Sequence, residues 1–164
     1  MASHLPPRLP RSLFLQYISH FNTRSYALQH AFYSPTITMT LPDPLVPTLH
    51  GPEEISRHYA QVHSVAEETV VPVKVLCEGE GVFLEMEVFF RYIVDTDQGV
   101  HGRTAREGDV FKVVVWAVYD IDAVGKMRRI RCSLWDERML GQVDVGECVR
   151  EARGRAMGDL RGES

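Results

Sequence analysis

The segment from Val82 to Tyr92 constrains the fold of this chain more than any other. Val82, Leu84, Met86, Val88, Phe90 and Tyr92 alternate with Phe83, Glu85, Glu87, Phe89 and Arg91. Successive side chains of a strand point to opposite faces, so this is a long strand with one wholly apolar face. Thr69 to Glu78, Asp109 to Ile121 and Met127 to Glu137 read as strands of similar length, and the strand that opens at Val82 runs to about Asp95. Gly79-Glu80-Gly81 and Asp122-Ala123-Val124-Gly125 are short turns between them, which imply antiparallel hairpins. The polar stretch from Asp97 to Gly108 is a longer connection.

Upstream the period changes. Leu13, Tyr17, His20, Phe21 and Arg24 recur at three- and four-residue steps, which predicts a helix from about Arg11 with Ser12 placed to cap it. A short second helix follows from Ser25 to Tyr33, and the β-branched alternation of Thr36 to Thr40 predicts a strand. Pro42, Pro44 and Pro47 then force an irregular loop. Gly51-Pro52-Glu53-Glu54 opens a third helix to about Glu67, since proline suits a first turn and carboxylates favour the positive end of the helix dipole.

Helices segregated from an antiparallel sheet define the α+β class. The expected architecture is a cone-shaped α+β barrel, with three N-terminal helices packed on a curved antiparallel sheet in the manner of a cystatin-like roll. Curved strands cannot fill their own concave side, so helices laid over it leave an apolar pocket at one end. The expected organisation is an extended arm over 1–10, one domain over 11–140 and a C-terminal tail over 141–164 that is weakly helical or disordered.

A chain of 164 residues fits a single well-cored domain. The net charge of -4 offers no basic stripe for nucleic acid, and the apolar runs are too short to span a membrane. Cys77, Cys132 and Cys148 are an odd set at spacings that suit neither zinc nor a disulfide framework. They read as reduced thiols, and the opening segment lacks the apolar core of a signal peptide, so a cytoplasmic location is expected. Phosphate-loop, dinucleotide and nucleophile-elbow motifs are absent, so cofactor-independent chemistry without a metal is expected.

Four stretches, in order, resemble the nuclear transport factor 2-like superfamily, with its ketosteroid isomerase and SnoaL-like cyclase branches. They are Gln16 to Asn22, Tyr33 to Thr40, His50 to Ile55 with His58-Tyr59, and Gly125-Lys126 to Asp136, together spanning most of Arg11 to Glu137. The resemblance implies the fold more than the reaction, because members include isomerases, dehydratases, polyketide cyclases and plain binding or dimerising domains.

On that resemblance Tyr17 holds the position of the tyrosine that hydrogen-bonds a developing enolate, a task suited to a phenol aimed into a dry pocket. The strand position of the isomerases' second acid falls at Val115 to Ala117, which is apolar. Asp43 lies two or three residues from the position of their carboxylate base, where Thr40 aligns more directly; it reads equally as a turn aspartate. His58 and Tyr59 resemble pocket-lining positions, and a histidine there suits acid–base work near neutral pH. His20 lies one turn from Tyr17 and shares its surface. Phe21, Tyr59, Met86 and Phe111 are expected to shape the pocket.

Two assignments of the Val82 to Tyr92 strand remain open. Periodicity turns Glu85, Glu87 and Arg91 away from the helices, whereas an ungapped alignment to the isomerases turns them into the cavity. Trp135, on the last strand, is placed to anchor a partner. The expected function is an isomerase, cyclase or dehydratase of secondary metabolism that moves protons on an apolar polyketide-like or polycyclic small molecule. Tyr17, His58 and Asp43 would carry the chemistry, and a homodimer would form through the outer sheet face. The alternative is a non-catalytic ligand-binding or dimerisation module.

Overall fold

A computed structural model describes residues 5–161. The expected arm over 1–10 and tail over 141–164 therefore lie partly outside the described residues. The elements are α1 (Arg11–Asn22), α2 (Tyr26–His30), β1 (Tyr33–Thr40), β2 (Leu49–His50), α3 (Gly51–Val65), β3 (Ala66–Glu78), β4 (Gly81–Tyr92), β5 (Val110–Ile121), β6 (Met127–Gly141) and α4 (Val145–Arg155).

The strands form one six-stranded sheet in the order β2-β1-β6-β5-β4-β3. It is mixed rather than antiparallel, because β1 runs parallel to β6. The reason is topological: β1 precedes the helix α3 and joins the far edge of a meander formed later in the chain. The three N-terminal helices on one side of a curved, unclosed sheet make the α+β cone that the sequence implies.

In α1 the residues Phe14, Tyr17, Ile18 and Phe21 are buried, which is the three- and four-residue stripe of an amphipathic helix. Pro10, in extended conformation, occupies the N-cap and no side chain caps this helix, so Ser12 does not have that role. In α3 the carboxylate of Glu54 accepts the His50 backbone N–H at 2.7 Å, reaching back to an amide the helix leaves unpaired.

The face of β4 is settled by burial and by its neighbours. Val82, Leu84, Val88, Phe90 and Tyr92 are buried in the main core with Met86 packed against it. Periodicity therefore gave the right face. Glu85 and Arg91 lie on the opposite, outer face, and the reading that placed them in the cavity is corrected: burying them among apolar side chains would strand their charges. Arg91 instead meets Glu67 at 3.2 Å on the surface.

Part of that outer face is covered. The helix α4, capped by Asp144 accepting from the Glu147 N–H, lays Ala152, Val149 and Cys148 over Val71, Phe89 and Val110. Glu87, only 6% exposed, anchors it by pairing with Arg155 at 2.9 Å and Lys112 at 2.6 Å.

Among the register shifts of the sheet, two decide which side chains face the cavity. Val114 pairs with Asp136 while Val115 pairs with Leu134, so Trp135 is the extra residue of a bulge. Arg129, Arg131, Ser133 and Trp135 face out, whereas Glu137, opposite Val113, faces in. In β3 the shift between Pro72 and Lys74 has the same effect. The even residues Ala66, Glu68 and Val70 face in before it, and Val75 and Cys77 after it, each paired with an inward residue of β4.

Candidate functional site

A cavity of about 330 Å³ lies between the sheet and α1 and α3. Its apolar walls include Met39, Val62, Met86, Val88, Val113 and Val115. The polar side chains that line it include Tyr17, Asp43, His58, Tyr59, Glu68 and His101, with Gln61, Gln98, Tyr119 and Cys132. Val113 and Val115 come from β5, so the wall that would carry a second acid is aliphatic, as its sequence indicates.

At the inner end Tyr17 is 5% exposed, and its hydroxyl lies 3.1 Å from that of Tyr33. Gln29 Nε2 donates to the Tyr33 hydroxyl at 3.1 Å. Tyr33 accepts from Gln29 and keeps its own proton to give; in the arrangement in which it donates to Tyr17, the Tyr17 proton is available to the cavity. Burial pushes the Tyr17 phenol up to about 12. Burial likewise drives Tyr33, Tyr59 and Tyr119 well above the ordinary tyrosine value and lifts the Cys132 thiol to about 12. These groups stay protonated near neutral pH and act as hydrogen-bond donors, not bases.

Glu68, 8% exposed, also lines the cavity. Its Oε2 lies 3.0 Å from His63 Nε2, and Arg24 Nη2 donates to its backbone carbonyl at 3.1 Å. Sequence reasoning missed this carboxylate because the strand was taken to begin at Thr69. Extended back to Ala66, Glu68 falls in phase with Val70 on the inner face, and that phase was the available signal.

The rim is built from loops. Asp43 Oδ1 accepts the Leu45 N–H at 2.9 Å and its Oδ2 accepts the His101 N–H at 3.2 Å. Both oxygens are thus engaged in pinning two loops together, which supports the turn-aspartate reading. His101 sits in the left-handed region at φ 55 with Nδ1 2.8 Å from Glu137 Oε2. Arg103 also holds Glu137, at 2.7 Å, and lies over the Phe111 ring. His58, on α3, lines the cavity on this side, and burial lowers its pKa, which favours a neutral imidazole.

Of the residues singled out from sequence, Tyr17, Asp43, His58, Tyr59 and Met86 line this cavity. Four others do not. Phe21 packs behind the wall, against Tyr59 and His63. Phe111 is fully buried against Phe90. His20 packs beside Phe32 and does not line the cavity, although it lies one helical turn from Tyr17. Thr40, which aligns with the isomerase base, is exposed and bonds Thr48. Glu85 and Arg91 are on the outer face.

Among the described residues no group of three or more His, Cys, Asp or Glu side chains is placed to hold a metal. No helix of the described residues is long and apolar enough to cross a membrane.

Comparison with known proteins agrees with this geometry. A family model described as a SnoaL-like domain matches residues 14–130. No curated protein matches the chain. Among solved structures, a proposed polyketide cyclase from Xanthomonas campestris pv. campestris is similar at 18% identity with a TM-score of 0.63, covering 86% of this chain and 94% of that one. A proposed ketosteroid isomerase from Kribbella flavida has 12% identity and a TM-score of 0.57, covering 77% of each chain. TerC, co-crystallised with polyporic acid, has 16% identity and a TM-score of 0.56, covering 74% of this chain and 88% of that one. At these identities the likeness concerns the fold.

Proposed function

The chain belongs to the SnoaL-like domain family, and from that premise we propose that it is a cofactor-independent enzyme moving protons on an apolar, oxygenated small molecule. The class is an isomerase, cyclase or dehydratase acting on a polyketide-like or polycyclic compound. The observation that carries the reading is the buried chain Gln29 to Tyr33 to Tyr17, which ends in a phenol on an aliphatic cavity. A fixed donor in a dry site favours charge that develops on a carbonyl oxygen during the reaction more than it favours the uncharged substrate. The polyporic acid of TerC and the cyclase and isomerase names of the other neighbours support an oxygenated ligand, by analogy of fold.

In this reading Tyr17 holds the ligand oxygen and Met86, Val113 and Val115 exclude water. His58, neutral at the rim, passes protons between ligand and solvent, with Asp43 fixing the loop beside it. The protein works in the cytoplasm as a homodimer joined through the outer sheet face, where Trp116 and Trp135 stack at 4.6 Å and are 38% and 67% exposed.

A ketone with exchangeable α-protons tests the reading without knowledge of the natural substrate. 2-Tetralone is flat, bicyclic and apolar, and its exchange in D₂O is followed by proton NMR. The protein is expected to accelerate that exchange saturably over buffer. Tyr17→Phe, with unchanged melting, is expected to lose about a hundredfold or more of the acceleration. An unaltered rate in Tyr17→Phe contradicts the reading.

Val113 and Val115 of β5, which put no acid on the cavity wall, favour one second reading, a ligand carrier without catalysis. It is recognised by tight binding of 2-tetralone with no exchange above buffer.

A further inference from the structure

A cluster of four side chains stands behind the inner wall of the cavity, and the chemistry assigned to Tyr17 and His58 does not use it. His63 is its centre. The Tyr26 hydroxyl bonds His63 Nδ1, while Nε2 faces both Glu68 Oε2 at 3.0 Å and Arg24 Nη1 at 2.9 Å. A single ring nitrogen carries either a proton or a lone pair. With the proton, Nε2 donates to Glu68; bare, it accepts from Arg24. The Tyr26 hydroxyl complements either tautomer, because it both donates and accepts. The cluster is therefore built to tolerate a change of protonation at Glu68 without losing all of its bonds.

The carboxylate itself is half-used. Only Oε2 has a partner among the described residues, and Oε1 has none, in a side chain that lines the cavity and is 8% exposed. A buried carboxylate is normally bonded at both oxygens, and one left open in a cavity is suited to a reacting proton. Asp43, the other carboxylate on the cavity wall, has both oxygens taken by backbone N–H groups. The cost of burying Glu68 is offset by His63 and by Arg24, whose Nη2 also holds the Glu68 carbonyl.

We propose that Glu68 is the catalytic carboxylate that removes and returns the substrate proton, with His63 and Arg24 as positioning residues behind it. The inference rests on the proton-transfer reading above and names its base. A C–H bond next to the ligand carbonyl breaks and its proton forms an O–H bond at Glu68. The electron pair moves through the new carbon–carbon double bond onto the carbonyl oxygen, which becomes an enolate oxygen held by Tyr17. Glu68 then returns the proton to a carbon of the enolate, restoring both the carbonyl and the carboxylate. His63 holds one carboxylate oxygen in place and Arg24 fixes the Glu68 backbone and the His63 ring, so that the other oxygen can approach the ligand within hydrogen-bond reach. Tyr17 and Glu68 thus act on the two ends of one enolate.

The test is the rate of 2-tetralone deuterium exchange in the full chain. Glu68→Gln keeps the shape and removes the base, and it is expected to lose at least a hundredfold in rate with little change in KM. Glu68→Asp is expected to retain part of the rate. Glu68→Ala in formate buffer is expected to regain exchange as formate is added, which a structural role would not produce. His63→Gln is expected to lower kcat about tenfold while KM stays within twofold. Unchanged exchange in Glu68→Gln, or loss in Glu68→Ala that formate does not repair, overturns the assignment. If Tyr17→Phe slows exchange and Glu68→Gln does not, the proton-transfer reading stands and the assignment of its base falls. If neither slows it, or if the wild-type protein does not exceed buffer, both fall.

Discussion

The hydroxyl of Tyr17 lies 3.1 Å from the hydroxyl of Tyr33, which itself accepts from Gln29 Nε2. Tyr33 thus keeps its own proton, and the proposed role of Tyr17 has Tyr33 giving that proton to it. Tyr33→Phe removes that donor without opening space. The account expects the 2-tetralone exchange rate to fall roughly tenfold, the loss that one hydrogen bond of about 1.4 kcal/mol represents. An unaltered rate would mean that Tyr17 is not backed in this way.

His58 gives stability a pH dependence. Burial lowers its folded pKa below the value of 6.5 it has when free, so the unfolded chain binds its proton first. Stability is expected to fall as pH drops below about 6.5 and to stop falling from this cause once the folded imidazole is also protonated. Urea midpoints of wild type and His58→Gln across that window check it: the variant should show the shallower loss. His30, lowered by burial as well, contributes the residue of the slope in both proteins.

Glu87 titrates with the opposite partners. Burial opposes its charge, but bonds from Arg155 and Lys112 outweigh that and hold its carboxyl below the ordinary value of 4.5. Its contribution is complete above about 4.5 and is lost as pH falls through the lower folded value. At neutral pH Glu87→Gln is expected to cost about 2 kcal/mol, the scale of a buried charge-assisted hydrogen bond moderated by the half-exposed Arg155. The loss should shrink toward acid pH in denaturant titrations. Equal losses at both pH values would contradict this role in holding α4.

The stacked pair Trp116 and Trp135 gives the proposed homodimer its own test. Phe83 packs edge-on against Trp116 and Val118 is 37% exposed, so the uncovered part of the outer face carries apolar surface beside that pair, with Glu85 and Arg131 flanking it. Trp135→Glu is expected to convert a dimer to a monomer in sedimentation equilibrium with the melting of the monomer unit retained. A wild-type chain that sediments as a monomer contradicts the proposal.

Much of the fold was legible because its signals are local. The alternation of Val82 to Tyr92 fixes a face over a few residues, and the helical stripe through Tyr17 and Phe21 does so in α1, although Phe14 and not Leu13 is its buried first member. The parallel pairing of β1 with β6 joins segments about ninety residues apart, and no local pattern reports it. The bulges were equally hidden. Trp135 reads as a regular outward residue, yet as an inserted one it turns Glu137 inward to meet His101. The site followed the same division. Tyr17 and His58 lie on helices whose faces are readable. Glu68 lies at a strand start, where boundaries are least defined, and its partners Arg24, Tyr26 and His63 come from two other segments.

The central claim is that the Tyr17 hydroxyl addresses a ligand oxygen inside the cavity. The carbonyl stretch of bound 2-tetralone, labelled with ¹³C at its carbonyl carbon and observed by difference infrared spectroscopy, reports that contact. The account predicts a stretch lower in the wild-type protein than in an apolar solvent, returning toward the solvent value in Tyr17→Phe. The same stretch in both proteins would contradict it.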